Sequence, residues 1–385
     1  MNSFVFNTTK SIICEPGSLN KLGDITKQQI GSNVMLVTDP GLIKLGLIKN
    51  ATDSLDKAGV TYTIFSDVVA DPPAHIVEEA CQNARDAKID GVIGLGGGSS
   101  MDVAKLVALL VGGNEKLDDI YGVNMVKGQR LPLIQIPTTA GTGSEVTPIS
   151  IITVGETEKK GVVAPQLLPD IALLDADLTL GLPGKITAAT GIDAMVHAIE
   201  AYTSTSANNN VISRALACEA LRLLGANIKT VVAEPSNIKA RSDMLLGSAL
   251  AGQAFANSPV AAVHALAYPL GGVFHIPHGH SNALILPHVL KFNAPNCMAA
   301  YAELSVCVFP ELSALDEESR VDLFINKIAS LSEELGLEAT LRDVGISESD
   351  LPMLAKEAMK QTRLLVNNPK EVDEDVALSI YQQAF

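Results

Sequence analysis

A chain of 385 residues carrying a formal charge of -15 at pH 7 is long enough for two domains, because single cores tend to divide beyond about 250–300 residues. With 47% hydrophobic and 18% charged residues, it has the composition of a well-buried globular protein, which excludes a disordered chain. The acidic balance, with no Lys/Arg run to reverse it locally, argues against a nucleic-acid partner.

The opening MNSFVFNTTK has no basic stretch ahead of its apolar residues, and no apolar run approaches the roughly 18 residues that cross a bilayer. Cys14, Cys81, Cys218, Cys297 and Cys307 are scattered without a C-x-x-C pair, so neither a zinc knuckle nor a disulfide framework is expected. A soluble, cytoplasmic protein without a membrane partner follows. Short β-branched runs at Asn33–Val37, Tyr62–Phe65, Gly91–Leu95 and Leu133–Ile136 alternate with helical spacing over Leu42–Ala58, Ala74–Lys88 and Met101–Leu110, the pattern of βαβ crossovers and a parallel sheet. Strand-like runs at Pro148–Val154, Gly161–Ala164 and Ile171–Leu174 prolong that sheet region.

Three turns in this half suit a nucleotide. The first strand ends in Val37-Thr38-Asp39-Pro40-Gly41, where Asp39 either accepts a ribose 2′-OH or caps the next helix. GVIGLGGGSSMDVAK, residues 91–105, runs from a strand through three glycines into a helix beginning near Ser99, and its amides suit a pyrophosphate. A Rossmann G-x-G-x-x-G is not present, because Ser99 falls where the third glycine belongs. Asp102, in that helix's first turn, is counted with the phosphate site, with capping as the alternative. IPTTAGTGSEVT, residues 136–147, again follows a strand with small residues that permit close approach to a flat ligand.

The break at residues 181–184 separates an α/β domain, residues 1–182, from an Ala- and Leu-rich, all-helical domain, residues 183–385, with helices at Ala207–Leu224, Arg241–Ala256 and Glu318–Leu335. In TAATGIDAMVHAIEAY, residues 187–202, Asp193 and His197 are four apart on one helix face, half of a divalent-metal site. Four histidines, His264, His275, His278 and His280, lie in a stretch that is otherwise almost wholly apolar. His264 is expected on a helix ending at Pro269, and His278 in the turn before the next helix. Residues 186–213 and 242–290 contain no Lys or Arg, so an anionic substrate would find no cationic partner there. A small neutral alcohol or aldehyde fits better.

GGGSSMD, PTTAGTGSE, TAATGIDAMVHAIEAY and HALAYPLGG–IPHG, in this order over nearly the whole chain, resemble the iron-containing alcohol dehydrogenase family, of the lactaldehyde reductase and 1,3-propanediol dehydrogenase type. The resemblance implies a dehydroquinate synthase-like fold: an α/β NAD-binding domain and an all-helical metal domain, with the nicotinamide meeting the ion in the cleft between them. It places Asp193, His197, His264 and His278 as ligands of Fe2+, with Zn2+ compatible with the same donors. It puts Gly97, Gly98 and Ser99 at the pyrophosphate, Asp39 at the adenosine ribose, Thr138, Thr139 and Thr142 around the nucleotide, and Lys160 nearby. A homodimer or higher homo-oligomer is expected. Two positions depart from the family: Tyr268 stands where it usually has His, and Asp71-Pro72-Pro73 where it has an Asn-Pro turn. The proton path is therefore open among Tyr268, His275, His280 and water, and no cofactor contact carries over to Asp71. Two other functions share parts of this pattern: a dehydroquinate synthase-like cyclase or lyase that uses metal and NAD on phosphorylated acids, and a non-enzymatic nucleotide-binding scaffold.

Overall fold

The computed structural model describes residues 3–155 and 158–385. Met1 and Asn2, from the N-terminal stretch weighed above, and Glu156 and Thr157 lie outside the described residues. The chain forms two compact units, one of Asn7–Leu180 and one of Gly181–Phe385 together with the residues up to Phe6. That N-terminal addition is a departure from the sequence boundaries. It is tied down by Asn208, whose Oδ1 accepts from Val5 N–H at 2.9 Å and whose Nδ2 donates to Val5 O.

The first unit holds β1 (Ser11–Cys14), β2 (Asn33–Val37), β3 (Thr61–Phe65), β4 (Gly91–Gly96), β5 (Gly122–Val123), β6 (Leu133–Pro137), β7 (Ile149–Val154), β8 (Glu158–Val163) and β9 (Ile171–Leu174). Six of these form a parallel sheet in the order β1-β9-β6-β4-β2-β3. Its central strands are nearly continuous apolar runs because both faces are covered. Met35, Val37 and Val92 pack with Val77, Val103 and Val107 on one side; Val34, Leu36 and Ile93 pack with Leu22 and Leu55 on the other. The helices of this unit are α1 (Leu22–Gln29), α2 (Pro40–Lys44), α3 (Lys49–Ala58), α4 (Ala74–Asp86) and α5 (Gly98–Gly112).

Two expectations are corrected here. The helix over Leu42–Ala58 is two helices, α2 and α3, parted around Gly46, whose φ of 70° no helix accommodates. The runs at 148–154 and 161–164 do not extend the parallel sheet: β7 and β8 pair antiparallel in a second sheet of order β5-β8-β7.

The second unit is helical: α6 (Gly184–Thr203), α7 (Val211–Ala233), α8 (Ile238–Asn257), α9 (Ala262–Phe274), α10 (His278–Val308), α11 (Glu317–Glu334), α12 (Leu351–Ala358), α13 (Thr362–Leu365) and α14 (Glu374–Ala384). Helix α6 packs against α7, α8 and α10 and is buried along most of its length. Helix α7 starts later than its apolar spacing suggests, because Asn210 and Ser213 form a capping box. Pro269 does not end its helix; it lies inside α9, as Pro287 and Pro295 lie inside α10. A proline in a helix interior costs about 3 kcal/mol, and the burial of Val263, Leu266 and Leu270 on α9 offsets that locally.

Candidate metal and cofactor sites

Asp193 and His197 lie one turn apart on α6, His264 is the third residue of α9, and His278 is the first residue of α10. Each offers one ligand atom, and these four atoms lie within 4.8 Å of one another. His278 Nε2 is 3.6 Å and His264 Nε2 4.0 Å from Asp193 Oδ1. Donors about 2.1 Å from one ion are roughly 3.4 Å apart in a tetrahedron, so these separations fit a single divalent cation. Asp193, His197 and His264 are buried, while the His278 side chain is 46% exposed, which leaves the cluster open on that side. The His197 ring stacks with Phe255, at a centroid distance of 4.3 Å, and with His264, at 4.7 Å. Burial alone would raise the Asp193 carboxyl, but His197, His278, His264 and Asn282 outweigh it and hold it below the usual carboxylate range.

Two partners that the sequence reading missed orient these donors. Glu200 Oε2 accepts from His264 Nδ1 at 2.7 Å while Oε1 accepts from Val263 N–H at 2.7 Å, so the proton sits on Nδ1 and the Nε2 lone pair faces the cluster. Asn282 Nδ2 donates to Asp193 Oδ1 at 2.6 Å, and its buried Oδ1 has no partner. Both were within reach of spacing arguments: Glu200 follows Asp193 by two helical turns, and Asn282 follows His278 by one.

The three proton-path candidates separate. Tyr268 joins the cluster's edge, its ring 5.9 Å from that of His278. His280 is turned away, its Nε2 2.9 Å from the Glu338 carbonyl oxygen and outside the four-donor group. His275 is an exposed left-handed residue at the end of α9, φ 57°, and is likewise outside that group.

In the α/β unit the three turns leave the carboxyl ends of neighbouring strands, since β4 pairs with β2 on one side and β6 on the other. This is where open parallel sheets bind ligands. Gly96 has φ 155°, and a Cβ there would lie 2.7 Å from Ser100 Oγ. At Gly97 a Cβ would meet nothing within 4 Å, so the chain is open there. The N-terminus of α5 has no side-chain cap, which leaves the first-turn amides, Ser99 among them, to a phosphate. Thr142 lies against Gly98, and Thr138 is tied to β4 through its N–H to Gly96 O. Thr139 Oγ1 is buried without a partner. Asp39 caps α2, accepting from Leu42 N–H at 3.1 Å, and its Oδ2 borders Gly96. Lys160 lies on β8, 3.8 Å from Glu158 and over the Tyr121 ring.

Asp102 does not cap α5. Its carboxylate accepts from Ser144 Oγ at 2.6 Å and Ile151 N–H at 2.8 Å. Beside it Lys105, fully buried, donates to Ser144 Oγ, Thr147 Oγ1 and Ile149 O. Burial pushes Asp102 up and Lys105 down. The pair braces α5 against the 144–151 segment.

Residues 9–176 match the family described as iron-containing alcohol dehydrogenase, and residues 187–385 the C-terminal part of the Fe-containing alcohol dehydrogenase family. The chain is 41% identical over 372 residues to long-chain-alcohol dehydrogenase 1 of Geobacillus thermodenitrificans, covering 96% of this chain and 93% of that protein. It belongs to the iron-containing alcohol dehydrogenase family. A crystal structure of 1,3-propanediol oxidoreductase superposes with a TM-score of 0.95 at 33% identity, covering 100% of both chains. The NAD+ complex of sulfoacetaldehyde reductase from Bifidobacterium kashiwanohense gives a TM-score of 0.88 at 28% identity, over 99% of this chain and 98% of that one.

An iron-containing alcohol dehydrogenase needs a divalent-ion site. Three imidazoles and one carboxylate, with the one buried imidazole partnered to Glu200 locked in its ligating tautomer, suit Fe2+ and also Zn2+. Membership also sets aside the cyclase and scaffold alternatives.

Proposed function

We propose that this protein is an NAD-dependent, metal-dependent alcohol dehydrogenase that interconverts small neutral primary alcohols or diols and the corresponding aldehydes by hydride transfer. The observation that carries it is the convergence of Asp193, His197, His264 and His278 from three helices. These four would hold the ion, which when bound supplies Lewis acidity that lowers the pKa of an alcohol hydroxyl. Glu200 keeps His264 in the tautomer that presents Nε2, and Asn282 holds the Asp193 carboxylate in place. Tyr268, whose ring lies beside that of His278, or a water would take up or release the hydroxyl proton. His280 is engaged by the Glu338 carbonyl and His275 is exposed at a helix end, so neither is assigned that role.

The NAD pyrophosphate would lie on Gly97, Gly98 and Ser99 at the α5 N-terminus, the ribose near Asp39, and the remainder along Thr138, Thr139 and Thr142, with Lys160 at the margin and Asp102 acting through its brace to Ser144 and Ile151. The acid at the β2 tip favours NAD over NADP by repelling a 2′-phosphate. The lack of Lys and Arg through residues 186–213 and 242–290 supports neutral substrates. A cytoplasmic homo-oligomer, homodimer or larger, completes the proposal; among the described residues no cysteine forms a disulfide and no helix is long and apolar enough to cross a membrane.

The test is a panel of short alcohols, diols and aldehydes assayed with NADH and NADPH for anaerobically prepared wild type and His264→Ala. Turnover of a neutral pair with NADH, lost in His264→Ala together with bound metal, is expected. Equal activity in both proteins would refute the site.

A further inference from the structure

The four donors do not exhaust the polar groups at the metal cluster. Asn282 lies one turn after His278 on α10 and is fully buried. Its Nδ2 is 2.6 Å from Asp193 Oδ1, 3.2 Å from His264 Nε2 and 3.3 Å from His278 Nε2, so one amide atom faces three of the ligand atoms at once. Two donors about 2.1 Å from a common ion are roughly 3.0 Å apart at a right angle, the spacing of neighbours once an ion has more than four ligands. Nδ2 keeps close to that spacing from all three atoms, and so stands where a fifth ligand would stand.

The amide's N–H groups serve the Asp193 carboxylate and the His264 lone pair, which holds Asp193 in place ahead of ion loading. A cation prefers the other end of an amide, its oxygen. In Asn282 that oxygen is buried without a partner. The two ends are alike in size, and rotation about χ2 exchanges them in place. The turn leaves the count of unmatched amide ends unchanged, because Nδ2 takes the position of the partnerless oxygen, and it gains an ion–oxygen bond.

We propose that Asn282 is a fifth protein donor, turning Oδ1 to the ion when the site is loaded, and that it biases the site towards Fe2+ over Zn2+. The bias follows from coordination number: Zn2+ mostly holds to four ligands, whereas Fe2+ among imidazole and carboxylate donors accommodates more. The proposal rests on the reading that a divalent ion sits among Asp193, His197, His264 and His278.

The test uses the full chain, stripped of metal and reloaded anaerobically, as wild type, Asn282→Leu and Asn282→Asp, each checked for native helicity. Co2+ reports coordination number, because its visible bands are weak with five donors and several-fold stronger with four. Wild type and Asn282→Asp, which keeps an oxygen at this position, should show weak bands, and Asn282→Leu strong ones. In chelator competition the ratio of Fe2+ to Zn2+ affinity should fall about tenfold in Asn282→Leu. A side chain that only positioned Asp193 would weaken both ions alike and leave the bands unchanged. Strong bands in the wild type, or bands and ratio equal in wild type and Asn282→Leu, would overturn the fifth donor and leave the four-donor site standing. Co2+ bands that His264→Ala does not alter would overturn both.

Discussion

Glu200 determines which nitrogen of His264 is presented to the donor cluster. With its carboxylate removed, Val263 N–H and His264 Nδ1 lose their partner in a buried setting, and outer partners of metal ligands are commonly worth 10–100-fold in affinity (about 1.4–2.7 kcal/mol). Glu200→Ala should therefore bind Zn2+ or Fe2+ about 10–100-fold more weakly in chelator competition; an unchanged affinity would show that His264 is oriented by packing alone. Glu145 makes a different statement. Burial raises its pKa from 4.5 to about 7, so as pH rises the unfolded chain releases this proton before the folded one does. Its contribution to stability thus falls between about pH 4.5 and 7, by up to roughly 3 kcal/mol. Glu145→Gln should flatten that part of the stability profile in denaturant titrations, and a slope equal to wild type would contradict the burial effect. Residues such as Asp193 and His197 were legible because helical spacing alone puts them together. Lys105 was not, since a lysine in a helix reads as solvated until the hydroxyls of Ser144 and Thr147 are seen around it.

The approach of α10 to α6 brings His278 to Asp193. Gly279 permits it: a Cβ there would lie 2.4 Å from Ala189 O and 3.3 Å from Asp193 Cβ. Gly279→Ala should destabilise the protein by about 1–3 kcal/mol through overpacking and lower the bound metal by separating the two donors. Denaturant melts and metal analysis on the same preparation check this, and wild-type values for both would mean that the α10 start has slack. The parallel strands were legible because strands covered on both faces are continuous apolar runs. The pairing of β7 with β8 was not, because alternation along a strand does not name its partner. Pro269 was misjudged for a related reason: local rules end a helix at proline, and only tertiary burial shows why α9 continues to Phe274.

Over the whole molecule, the α/β and helical classes followed from the change of period along the chain. The residues up to Phe6 joining the helical unit did not, because Asn208 receives them 203 positions away from Val5. The central claim is that one divalent ion sits among Asp193, His197, His264 and His278. Anomalous diffraction at the iron and zinc edges from crystals of active enzyme tests it most directly. A single strong peak bonded to Asp193 and the three imidazoles is predicted; no peak there, or a peak held by other residues, would contradict the account.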